Sequence, residues 1–210
     1  MGISLKLLDP VTLIEKNINA AIAAHMNNKL SVNTNNIINN IKLLIPIWIK
    51  NQPEILSLSE NTPSSLRGAF GITTDAASII NSITGSIVDS LTFNFNQFDK
   101  DLNGGLTINI QPETFQNLLS LPDGHVIYDG GNLHWLQWLL LKGDEIIVAG
   151  YQYNPSSGLG RSKLGNMITG GAFRVPPQFS GTVDNNFVTR ALNGNTQVDQ
   201  ITKIFTKYLI

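Results

Sequence analysis

The sequence predicts an α+β chain: N-terminal helices, a mainly antiparallel sheet, a tryptophan-containing helix against the sheet, a long glycine-rich arm and a C-terminal amphipathic helix. Three observations carry this expectation. Apolar residues recur at helical spacing from Val11 to Trp48. The period then falls to two, in SLTFNFNQF and LTINI. Later the apolar run HWLQWLLLK is followed at once by DEIIVAGYQY and then by closely spaced glycines.

The first helix is expected on Ile14, Ile18, Ile22, Met26 and Leu30, with Val11 and Ala21 on the same side and Asp9 or Thr12 as the cap. Thr34 is the expected N-cap of a second helix, whose Ile37, Ile41, Leu44 and Trp48 share a face. Pro46 kinks or divides that helix, and Asn51-Gln52-Pro53 ends it. Short helices follow at residues 64–70 and 75–83. Leu91, Phe93 and Phe95 alternate with polar residues, as do Leu106, Ile108 and Ile110, so DKDLNGG joins a hairpin. A short helix at 112–121, a turn at Pro122-Asp123-Gly124 and a strand at 125–128 come next. HWLQWLLLK reads as a helix and DEIIVAGYQY, apolar on both faces, as a central strand. AFRVPP reads as an edge strand closed by prolines. Helices at 184–192 and 196–209 finish the chain, the last with a Val198, Ile201, Phe205, Tyr208 stripe and a Thr196/Asp199 capping box. The helical region is expected over 1–86 and the α+β region over 87–210, with a flexible arm at 154–172 and the whole forming one compact unit.

Composition narrows the function. Charged residues make up 14% of the chain, and Asn, Gln, Ser and Thr take the polar positions, a surface suited to close association with other chains. A net charge of −1 gives no global footprint for nucleic acid. Zero cysteines exclude a disulfide framework, thiolate chemistry and Cys-ligated zinc. MGISLKLLDP has no leader pattern, Lys6 stands where myristoylation needs Ser or Thr, and no apolar run spans a bilayer, so no membrane association is expected.

No catalytic signature is intact. In SSGLGRSKLGNMITGGAFRVPP, Asn166 and Met167 stand where a Walker A loop needs Lys and Ser or Thr, and Lys163 stands where a dinucleotide loop needs its third glycine. Ser162 sits in half a nucleophile elbow, with Leu164 in place of the second glycine. Asp99, Asp101, Asn103 and Gly104 match the start of a calcium loop, but Ile110 occupies the twelfth position. His25, His125 and His134 have no ligand spacing. Glu113 and Asp144-Glu145 sit near element starts, where acids favour a helix N-terminus or bracket a turn. No catalytic residue, metal or cofactor is therefore expected. What remains is a basic cluster, Arg161, Lys163 and Arg174 with Gly160 and Ser162, expected on an arm facing a neighbouring subunit or a channel lumen.

Five segments carry a resemblance: PIWIKNQPEILSL (46–58), SLRGAFGI (65–72), HWLQWLLLKGDEIIV (134–148), GRSKLGNMI (160–168) and FRVPPQFSGTVDNNFVTRAL (173–192). They resemble head–tail connector, neck, tail-terminator and tail-completion proteins of tailed, myovirus-like bacteriophages. The resemblance implies a non-enzymatic virion protein, assembled in the host cytoplasm into a six- or twelve-fold ring at the neck or tail end. Its partners would be itself and neighbouring neck, tail or portal-associated proteins, with non-specific DNA contact in the channel. Phe179, Asn186 and Arg190, within the last segment, are then expected at a subunit contact. Two other classes remain open: a small enzyme using Ser162, or Lys163 in a phosphate loop at 158–165, and a calcium- or carbohydrate-binding β module using Asp99.

Overall fold

The computed structural model of the chain describes residues 8–209 apart from Gln111, Glu113, Asp129 and Ser157; the helix-start role expected of Glu113 lies outside the described residues. The fold is α+β. Helix α1 (Val11–Lys50) runs unbroken for 40 residues. Thr34 does not cap a second helix: its hydroxyl donates to the Leu30 carbonyl one turn back, at 2.6 Å, a bond that leaves the helix intact. Pro46 removes a single backbone donor, and the buried Ile45, Trp48 and Ile49 on either side hold the helix through it. The buried seam also differs from the expected stripe. Ala23, Leu30 and Ile37 are buried, seven residues apart, while Ile18 and Ile22 are exposed. Steps of four drift by about 40° each around a 3.6-residue helix, whereas steps of seven drift by about 20°, so only the second row stays on one neighbour.

Contacts divide the chain into two compact units made of non-contiguous segments, and the boundary expected at 86/87 falls inside a helix, α4 (Ala76–Asp89). The first unit holds α1 up to Ile41, the hairpin of β1 (Thr92–Asn96) with β2 (Gly105–Asn109), and the C-terminal helix from Asp199. The hairpin is the one the alternation predicts, with Phe93 opposite Ile108 and Phe95 opposite Leu106. Asparagines of α1 act as clamps here. Asn27 both donates to the Phe98 carbonyl (2.9 Å) and accepts from its N–H (2.7 Å), while Asn40 donates to the Tyr208 hydroxyl at 3.1 Å.

The second unit contains Lys42–Leu91 and Ile110–Val198. Helix α2 (Pro53–Ser59) starts at the proline expected to end a helix, because proline's fixed φ and missing N–H suit a first helical position. Helix α3 (Leu66–Phe70) is capped by Ser65 and α4 by Asp75. Helix α5 (Gln116–Leu119) and a 3-10 turn (Pro122–Gly124) lead into the small hairpin β3 (Val126–Tyr128) and β4 (Gly131–Leu133), of which the sequence reading found only the first strand. Helix α6 (Trp135–Gln137) continues as a π-helix (Trp138–Lys142). Strands β5 (Val148–Asn154) and β6 (Asn166–Phe173) form a two-stranded antiparallel ribbon. β5 is therefore not a central strand: it has one neighbour, and Val148 through Tyr151 are exposed. Helix α7 (Phe187–Leu192) precedes α8 (Asn195–Leu209). The capping box sits not at Thr196 but at Asn186 and Thr189, at the start of α7; α8 begins instead on the Gly194 carbonyl. The aromatic centre is Trp135, fully buried, tilted against Phe70 at 5.8 Å, with Phe173 edge-on to Phe70 at 6.3 Å.

Candidate functional site, an aromatic cleft in the second unit

A cleft of about 450 Å³ lies entirely within the second unit. One wall is the β5–β6 ribbon. Strict alternation would place Val148 and Tyr151 on opposite faces, but the ladder is interrupted between Ala149 and Tyr151, where Gly150 and Gly171 take positive φ. The irregularity re-aims the strand, so that Val148, Tyr151 and Tyr153 all line the cleft beside Met167 and Phe173. The other walls come from Phe70-Gly71 at the end of α3, Tyr128 and Asn132 of the small hairpin, Trp138, and Gly160–Ser162 of the β5–β6 connection.

That connection is the centre of the segment expected to be a flexible arm, and it is tied down. Asn154 ends β5 and residues 166–172 belong to β6, which leaves only 155–165 as loop, with Ser157 outside the described residues. Arg161 donates from Nη1 to the Ile127 carbonyl at 2.7 Å and lies over the Tyr128 ring, 5.3 Å from its centroid. Ser162 donates to the Gly68 carbonyl at 3.4 Å, and Tyr153 donates to the Pro63 carbonyl at 2.8 Å. Burial raises the Tyr153 phenol above its ordinary value. The glycines permit these approaches. A Cβ on Gly165 would run into the Tyr153 hydroxyl, and one on Gly160 into the Gly165 carbonyl. At Gly71, whose φ is +66°, a Cβ would stand 3.2 Å from Arg161 Nη2.

The other expected residues part company. Lys163 is exposed at φ +59°, and its N–H closes a turn onto Gly160. Arg174 is not in the cleft lining; it donates to the Asp144 carbonyl at 3.1 Å, with the Asp144 carboxylate 3.9 Å away. Phe179 is half-buried. Asn186 cannot present its side chain to another subunit, because it is fully buried: its oxygen accepts from the N–H groups of Val188 and Thr189, and its amide donates to the carbonyls of Leu140, Thr182 and Val183. Arg190 is turned inward too, in an ion pair with the fully buried Glu54. The VPPQFSGTVDNNF segment is thus an internal brace. Gly181 donates to the Trp138 carbonyl and Asn186 to that of Leu140, satisfying acceptors that a π-helix leaves open.

The alternatives fare as follows. Ser162 has a carbonyl and a backbone N–H as its hydrogen-bond partners, and the loop at 158–165 leads into a strand rather than the helix N-terminus a phosphate loop needs. In the β1–β2 turn, Asp99 Oδ1 accepts from the N–H groups of Asp101 and Asn103, the bonding of a self-contained turn. His125 and His134 lie with ring centroids 3.8 Å apart and tilted at 48°; His125 Nε2 contacts the Leu119 carbonyl and Nδ1 the Asn132 amide. Among the described residues no group of three or more His, Asp or Glu side chains could hold a metal ion, and no helix is long and apolar enough to cross a membrane.

The sequence reading missed most of the cleft, namely Phe70, Tyr128, Trp138, Tyr151 and Tyr153. Its one available signal was the Tyr-Gln-Tyr alternation at 151–153, which puts two tyrosines on one face of a strand. Among the described residues Arg161 is the only charged one in the lining, and the Trp138 indole N–H is buried without a hydrogen-bond partner. Tyrosine, tryptophan, methionine and a lone arginine around an apolar recess are the residues that dominate binding at protein interfaces. No family model matches the chain, and no curated protein or solved structure is significantly similar to it.

Proposed function

We propose that the chain is a non-enzymatic structural protein of a phage virion, which assembles into a ring at the neck or tail end. The observation that carries this reading is the cleft rim. Tyr128, Val148, Tyr151 and Met167 are each more than a third exposed, they line one recess, and no acid among the described residues accompanies them. Contiguous exposed apolar surface of this kind marks an interaction site. The resemblance of the segments between residues 46 and 192 to neck and tail proteins supplies the setting. The arm at 154–172 is not part of the proposal in its expected form, since Arg161 and Ser162 are engaged inside their own unit.

Native mass spectrometry and negative-stain electron microscopy of the purified chain test the reading. A closed ring with a single copy number is expected, six- or twelve-fold by the resemblance. A chain that stays monomeric across the micromolar range, alone and with neck or tail extracts, refutes it.

A further inference from the structure

A closed ring is built from heterologous contacts, in which each copy presents two different surfaces. The cleft is one of them, and helix α1 supplies a match for the second. Val11, Ile18 and Ile22 are 60%, 53% and 41% exposed. With the half-buried Ile14 they fall within an arc of about 80° on a helix of 3.6 residues per turn. That arc is centred roughly 120° away from the buried row of Ala23, Leu30 and Ile37, so it is a second apolar face and not an extension of the first. Glu15 flanks it and is the only acid between Val11 and Ile22.

Resting on the assembly reading, we infer that the N-terminal apolar face of α1 in one copy docks into the aromatic cleft of the next, with Glu15 meeting Arg161. Charge and chemistry both agree. Among the described residues the cleft lining has one cation and no acid, and none of their carboxylates lies within salt-bridge distance of Arg161. The helix face offers anchors at positions i, i+3, i+7 and i+11, the spacing with which amphipathic helices enter grooves. Tyr151 and Tyr128 supply broad, rigid contact surfaces, each more than 40% exposed. Docking one face of a copy in a different face of its neighbour leaves the complementary surface open at each end, as ring growth demands.

The test uses the full chain with Ile18→Asp and Tyr151→Asp, both at exposed positions, with circular dichroism to verify that each variant folds. Each change places a charge in the contact and is expected to weaken association on the order of 100-fold, leaving monomers. The decisive step mixes the two. Ile18→Asp retains an intact cleft and Tyr151→Asp an intact helix face, so the mixture is expected to give a one-to-one heterodimer and nothing larger. Because the chain has no cysteine, Ile18→Cys mixed with Tyr151→Cys is expected to form an intermolecular disulfide between unlike variants. A wild-type ring that survives either aspartate, or variants that stay monomeric when mixed, overturns this inference and leaves the assembly reading standing. A monomeric wild type overturns both.

Discussion

Replacing Asn186 by alanine removes five hydrogen bonds from one buried point. Two are N-cap bonds, from Val188 and Thr189 at 3.0 Å each, and their loss costs about 1 kcal/mol. The other three are donated to carbonyls, of which only that of Leu140, at 3.3 Å, is in a fully buried bond. An unsatisfied buried acceptor costs about 1–3 kcal/mol. The Thr182 and Val183 carbonyls are partly buried, where water can replace the amide, so each adds roughly 0.5 kcal/mol. The expected total is about 3–5 kcal/mol, or a fall in Tm of roughly 6–20 °C for a chain of this size. Urea unfolding followed by tryptophan fluorescence measures it, since Trp138 accepts a hydrogen bond from the same segment through Gly181. Asn186→Ser separates the contributions: a hydroxyl at the cap restores about 1 kcal/mol but no amide donor. A cost below about 1 kcal/mol for the alanine variant would mean that the brace is only a helix cap. Equal costs for serine and alanine would mean that the cap contributes nothing.

Two further outcomes follow from the same unit and from the hairpin. Arg190→Ala leaves the fully buried Glu54 carboxylate without its partner; the expected loss is about 2–4 kcal/mol, less than for a wholly buried pair because Arg190 is partly exposed. Adding Glu54→Leu to that variant is expected to restore most of the loss in denaturant midpoint, and a double variant no better than the single one refutes the account. The Asp99 carboxyl is held below the ordinary carboxylate range by the N–H groups of Asn103 and then Asp101. Its folded value is therefore the lower one, so its contribution to the turn is complete at neutral pH and disappears as pH falls through the lowered value. An NMR titration of the Asp99 carboxyl carbon checks this, and a midpoint at or above that of a model peptide contradicts it.

What the sequence could reveal depended on how local the cause was. The β1–β2 hairpin was legible because alternation and turn residues lie within a few positions of one another. Helix α1 was legible as helix but not as one helix: Thr34 reads as the start of a second helix yet bonds back to Leu30, and Pro46 reads as a break that burial of Ile45 and Ile49 overrides. The apolar run at Ile146–Val148 read as a central strand because burial on two faces and apolar exposure at a cleft rim share the same composition. At the C-terminus, Thr196/Asp199 and Asn186/Thr189 are both capping-box patterns, but only the second falls on an N-cap, since α8 has already begun at Asn195. Arg190 was expected at a subunit contact because its internal partner, Glu54, lies 136 residues away.

The glycines between β5 and β6 show the same limit and change what assembly requires. Glycine is used either for conformational freedom or for absence of bulk, and one sequence serves both. Freedom is a property of the residue's own φ; lack of bulk is a property of whatever stands nearby. Gly165 and Gly68 are without side chains because the Tyr153 hydroxyl occupies that space, on its way to a carbonyl 90 residues earlier in the chain. Gly71 makes room for the guanidinium of Arg161. Gly165 and Gly68 are close-approach glycines, Gly71 also needs its positive φ, and together they fix the loop that carries Arg161 in place against Tyr128 and Ile127. An arm that ordered only on contact would lose backbone and side-chain entropy at that moment, and affinity would fall accordingly. A cleft already held by its own hydrogen bonds has met that cost during folding, so the helix proposed to dock there would meet a preorganised surface. Under the proposed assembly, the glycine-rich stretch would therefore serve as a fixed receptor, and the element that reaches the neighbour would be helix α1.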